Sequence, residues 1–133
     1  MLMSRKFFLL VFLIFGLCQF STGQCPDNNV QYGTTDVSGW NVGSSNTLTS
    51  CLYGGEYRLI TNLIPFALYS FETCGDTDFD TQITVYDDAT GSQIAYNDDF
   101  CGAQSQVQFV SNGNPVKVLI DRSFCADQIS CMT

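Results

Sequence analysis

No histidine occurs anywhere in the 133 residues. That removes the Ser-His-Asp and Cys-His pairs of nucleophilic catalysis, and with them the commonest nitrogen ligand for zinc. None of the seven cysteines forms a C-x-x-C pair, so the spacing of a structural zinc site is missing too. Basic residues are scarce, five against thirteen acidic ones. Such a surface repels nucleic-acid phosphate and anionic lipid headgroups, which excludes both as partners. It favours solubility, cations and basic partners. There is no N-x-Ser/Thr sequon, no internal repeat and no glycine-rich phosphate loop; Gly54-Gly55 is a turn. Helical periodicity is nearly absent.

What is present begins with an export signal. Arg5 and Lys6 precede an apolar run from Phe7 to Leu17, followed by the small residues Ser21, Thr22 and Gly23. This is the order of a secretory signal peptide, expected over 1–23. The run falls well short of the roughly 20 residues that span a bilayer. Cleavage after Gly23 exposes Gln24, a residue able to cyclise to pyroglutamate. Leu17 before Cys18 argues against a lipoprotein. The remainder, 24–133, is expected to be one domain, too short for a second core. Its three basic residues, Arg58, Lys117 and Arg122, face all thirteen acidic ones, a net charge of −10. The expected location is secreted or cell-surface.

Six cysteines follow the signal: Cys25, Cys51, Cys74, Cys101, Cys125 and Cys131. An even count in an exported chain reads as a disulfide framework, with 15 connectivities open. Between them, short apolar alternations recur. Glu56–Leu59, Gln82–Val85 and Gln106–Phe109 alternate, and Val116, Val118 and Ile120 share one face of a strand, with Lys117 on the other. A period of two marks half-buried strands. Asp87–Gly91 reads as a hairpin loop, and Asn112–Pro115, Gly54-Gly55 and Asn62–Pro65 as further breaks. The stretch Asp36–Asn46 reads as a long loop around Trp40. Seven or eight short strands imply an all-β sandwich or barrel. The segment Cys125–Thr133 starts an element and stops. It is expected either to be tied back by a disulfide or to mark a truncated chain.

Three acidic clusters carry the candidate chemistry. Asp76, Asp78 and Asp80 form a D-x-D-x-D spacing that suits one hard cation such as calcium. Thr81 and Asp87 stand where an EF-hand loop needs Gly and Glu, so that motif is excluded. The first reading of these aspartates is turn capping; calcium is the second. Asp87-Asp88 reads as a solvated turn. Asp98 and Asp99, in Asn97–Gly102, are expected in a tight turn network or beside a cation. Paired carboxylates also serve glycoside hydrolysis, but nothing places two of them across a cleft, and no enzyme is expected. Among the aromatics, Trp40 and Tyr53, with Tyr32 and Tyr57, are the candidate ligand contacts. Phe66, Tyr69, Phe71, Phe79, Phe100 and Phe109 are expected to fill the core.

The segments Tyr69–Gly75, Phe79–Asp87, Ile94–Gly102 and Gln104–Val107 together resemble the bacterial pre-peptidase C-terminal (PPC-like) domains, across about Tyr57–Asp121. The shared pattern is a Y-x-F strand end, an F-D-T strand ending V-Y-D, an N-D-D turn, and a serine before the next strand. The resemblance implies a small antiparallel jelly-roll-like β-sandwich. It implies that Cys74 and Cys101 pair, and it assigns Asp80, Asp98 and Asp99 to matched positions. Some members bind calcium and matrix protein. No peptidase is attached here, so the expected function is a non-catalytic binding or adhesion module for an extracellular protein or polysaccharide, with calcium as a possible aid. The runner-up is a self-associating structural subunit of a matrix or filament, and a small hydrolase comes last.

Overall fold

The computed structural model describes residues 23–49, 51–75, 77 and 79–126. Residues 1–22 of the expected signal, Asp76, Asp78 and Cys131 lie outside them. Seven strands follow in order: β1 Val30–Asp36, β2 Glu56–Thr61, β3 Leu68–Glu72, β4 Thr81–Asp87, β5 Gln93–Asn97, β6 Gln106–Val110 and β7 Val116–Arg122. They form a five-stranded sheet, β1-β2-β7-β4-β5, and a two-stranded sheet, β3-β6. The chain is thus the expected all-β sandwich of two sheets.

Four of the five strand pairings are antiparallel, and β1–β2 is parallel. A parallel pair cannot be closed by a tight turn; its crossover takes a dozen residues or more. The Gly-, Ser- and Asn-rich segment from Val37 to Gly55 is that crossover, and its described residues contain no strand. The β4–β5 hairpin turns at Asp87–Gly91, where the sequence places it. By contrast, Asn112–Pro115 carries the chain from one sheet to the other, because β6 pairs only with β3.

The core fills the space between the sheets with Ile60, Ile83, Val85, Val116, Val118 and Ile120 from the larger sheet, and Phe71, Val107 and Phe109 from the smaller. Phe109 stacks on both Tyr69 and Phe71. Phe79 is half-buried and outside the core cluster, and two further expected core residues are at the surface: Phe66 is 89 % exposed and Phe100 62 %. Both sit in turns outside the alternating strands, where no pleat directs the side chain inward.

β7 departs from the half-buried pattern. Leu119 and Asp121, on the face opposite Val118, are buried as well. The cause is the segment Gln24–Asn29, which crosses the outer face of the larger sheet as a strap. Gln24 Nε2 donates to Gln93 Oε1 (2.6 Å) and Thr84 Oγ1 (3.3 Å). The Cys25 N–H donates to the buried Gln82 Oε1, and Asp27 pairs with Lys117 at 2.7 Å. Lys117 also lies over the rings of Tyr57 and Tyr86. The Cys25–Cys125 disulfide anchors the strap to the chain just past β7. Cys74 and Cys101 form the bridge that the resemblance implies, and Cys51 is disulfide-bonded too.

Candidate functional site

Asp80 immediately precedes β4, and Asp98-Asp99 immediately follow β5. Antiparallel pairing of these neighbours, with Ile83 opposite Asn97, brings the start of one strand to the end of the other. One carboxylate oxygen from each of Asp80, Asp98 and Asp99 falls within 4.8 Å of the others. The sequence separates these residues by almost twenty positions, and the sheet register unites them.

Buried hydroxyls hold this end in place. Ser105, fully buried, lies with its hydroxyl 2.5 Å from both the Thr81 and the Asp98 carbonyl oxygens. Its N–H donates to Thr73 Oγ1, which also meets Thr81 Oγ1 at 2.7 Å. Ser105, one residue before β6, is therefore a brace for the Asp98 backbone. Gln104 serves the adjoining loop. Its carbonyl accepts the N–H groups of Phe100 and Cys101, its Oε1 accepts the Gly75 N–H, and its Nε2 donates to the Thr77 carbonyl. The Ser123 N–H binds the Asp80 carbonyl from the far end of β7.

Turn capping does not account for the trio. Among the described residues, no backbone N–H bonds to the side chains of Asp80, Asp98 or Asp99, whereas Asp36 and Asp87 cap turns in that way. Asp80 Oδ1 and Asp98 Oδ1 are buried without a hydrogen-bond partner. Burial raises the Asp98 carboxyl above the ordinary range. The Asp99 and Asp80 charges push it further, and a bond from Gln82 opposes them. Crowded carboxylate oxygens, two of them without a donor, suit a hard cation, and calcium takes six to eight such oxygens. Three converging carboxylates fit such an ion in charge and in donor type.

A second feature lies between the sheets. β3 and β6 cover only part of the five-stranded sheet, and the crossover loop roofs the rest. The cleft there, about 1150 Å³, runs past the edge of β3, so that Leu68, Ser70 and Glu72 of its outer face line it along with Tyr69 and Phe71. Trp40, Leu48, Tyr69 and Phe71 give it aromatic and apolar walls, and residues 41–49 supply a rim of amides and hydroxyls. Its charged lining residues are Arg58 and Glu72. The Arg58 guanidinium is fixed by Thr35 Oγ1 at 2.6 Å and lies over the Tyr32 ring. Tyr53 is not part of this lining; its N–H donates to Glu56 Oε2. Of the two candidate ligand contacts, Trp40 lines the cleft and Tyr53 does not.

Asp87 is the functional-looking residue that sequence reading left as a solvated turn. It is buried, accepting at Oδ1 from the Ala89 and Thr90 N–H groups and at Oδ2 from Asn112 and Asn114. Those donors, the two asparagines foremost, pull its carboxyl down to about 2. Only the asparagine-rich turn at 112–114 signals this in the sequence. Compared with protein-family models, curated proteins and solved structures, the chain matches none.

Proposed function

We propose that this chain is a secreted, non-catalytic binding module. It holds a segment of an extracellular polymer, protein or polysaccharide, in the cleft under the 37–49 loop. A calcium ion at Asp80, Asp98 and Asp99 stiffens the neighbouring end of the sandwich. The cleft carries the reading. It is large enough for a polymer segment, and its lining joins apolar walls to a polar rim. Its lining has a single carboxylate among the described residues, Glu72, where glycoside hydrolysis needs two. The disulfides suit an oxidising compartment. The motif residues shared with PPC-like domains support the same class of function by fold analogy.

Trp40 is the sole tryptophan and lines the cleft, so its emission reports on occupancy. The oxidised protein is melted in chelator and then in millimolar calcium. It is next titrated with matrix proteins and neutral or acidic glycans while Trp40 fluorescence is followed. Calcium is expected to raise Tm, corresponding to about 2.7 kcal/mol at a hundredfold excess over Kd. Asp98→Asn is expected to remove that rise, and a polymer ligand to shift the Trp40 emission. A flat calcium response removes the ion from the proposal. A Trp40 signal deaf to every polymer removes the binding function.

The structural-subunit reading has one observation in its favour. Leu68, which also borders the cleft, and Val110 are cross-strand partners on the outer face of the smaller sheet, 66 % and 63 % exposed, with exposed Phe66 just before β3. Association that grows with concentration, with no polymer bound, would favour it.

A further inference from the structure

The strap ends on a pair of side chains that do not satisfy each other. Asn29 Nδ2 donates to Asp121 Oδ1 at 3.0 Å and also reaches the Glu56 and Ile120 carbonyls. Asp121 is only 5 % exposed. The other two oxygens, Asn29 Oδ1 and Asp121 Oδ2, are both buried without a partner. A polar cavity of about 190 Å³ lies against Asp121, lined also by Cys25, Pro26, Asn28, Gly55 and Cys125. An amide oxygen and an ionised carboxylate are both acceptors, so neither can serve the other. Leaving buried acceptors orphaned carries their desolvation penalty.

A single proton resolves both orphans. On Asp121 Oδ2 it converts that atom to a donor for Asn29 Oδ1, while the Nδ2–H bond to Oδ1 persists. The proton comes from solvent and returns to it on ionisation. We propose that Asp121 and Asn29 form a proton-binding latch that fastens the N-terminal strap to β7, tighter in acid and looser as pH rises. The latch does not depend on the cleft or on calcium.

The surrounding charges agree with this assignment. The strap presents Asp27, whose charge disfavours ionisation of Asp121; its own partner is Lys117, on the same face of β7. β2 presents Glu56, whose carboxylate accepts the Tyr53 N–H. β4 offers the neutral Gln82 and Thr84 and the phenol of Tyr86, and Arg122 at the end of β7 is exposed. Burial is the largest influence and raises the Asp121 carboxyl. The Asn29 amide opposes it in part, and so, more weakly, does the nearby Gly55 N–H, whose own hydrogen bond goes to the Ile120 carbonyl. A carboxyl raised in the folded state binds its proton more tightly there than in the unfolded chain. Its stabilising effect is complete below the unfolded value of about 3.9 and declines as pH rises through the folded one.

The test compares thermal melts of the wild-type protein and Asp121→Asn from pH 4 to pH 8. The asparagine offers a permanent N–H to Asn29 Oδ1 and does not titrate. The two proteins should melt together near pH 4, and the variant should melt several degrees higher at pH 8. Asp98 also titrates, but equally in both, so it cancels in the difference. A difference that is the same at both pH values, or a variant that is the less stable at pH 8, overturns the latch. Should the variant fail to fold, carboxyl carbon NMR of wild-type Asp121 decides. A midpoint above the ordinary carboxylate range, with a concerted shift of the Asn29 amide, sustains the latch. A midpoint at or below that range overturns it.

Discussion

Asp87 and Asp121 are both buried aspartates at the ends of central strands, and their surroundings drive them in opposite directions. Asp87 collects four N–H donors, two from its own hairpin loop and two from the 112–114 turn, so the charged form is the satisfied one. Its carboxyl falls to about 2, below the unfolded value of 3.8. The stability it gives is complete above the unfolded value and is lost as pH falls through about 2. Asp87→Asn keeps an acceptor for Ala89 and Thr90 but turns an amide toward the amides of Asn112 and Asn114. The variant is expected to melt lower than wild type at pH 7, with the gap closing as pH approaches 2. An acid-denaturation series on both proteins checks this, and a gap that persists unchanged in acid contradicts the charge-based account.

The strands themselves were legible in the sequence because their cause is local. Gln82–Val85 and Val116–Ile120 carry the alternation in the chain, and Ile83, Val85, Val116, Val118 and Ile120 are the members that meet in the core. The parallel partnership of β1 with β2 was not legible. It depends on a crossover of Val37–Gly55 that has no periodicity of its own. Nor was the strap: Gln24–Asn29 is polar and irregular, and only its contacts with Gln82, Thr84 and Lys117 reveal that the second face of β4 and β7 is covered. That is why Leu119 is wholly buried where alternation alone predicts a half-open face. The candidate ion site was half visible. The N-D-D turn and the aspartate before β4 are conspicuous in the chain, but their convergence is a product of β4–β5 register. Asp76 and Asp78 belong to the same run and lie outside the described residues.

Across the whole molecule, one small sandwich must hold a wide cleft open on one side and a strap closed on the other. A core of this size leaves little margin, which is where covalent staples matter most. The Cys25–Cys125 bridge spans a separation of 100 residues and Cys74–Cys101 one of 27. In the chain-entropy account these correspond to about 4.7 and about 3.6 kcal/mol of constraint on the unfolded state. The longer bridge also has a native-state task, because it fixes the strap over Leu119 and Gln82. Cys25→Ser with Cys125→Ser is therefore expected to lower Tm more than Cys74→Ser with Cys101→Ser. It should also deprotect the backbone of β4 and β7 in hydrogen exchange. The shorter bridge closes the loop that carries Asp98 and Asp99, so its removal should instead take away the calcium response while leaving exchange under the strap unchanged. If the two double variants lose the same stability and show the same exchange pattern, the bridges act only on the unfolded chain, and the division of the molecule into a strapped face and an ion-binding end is wrong.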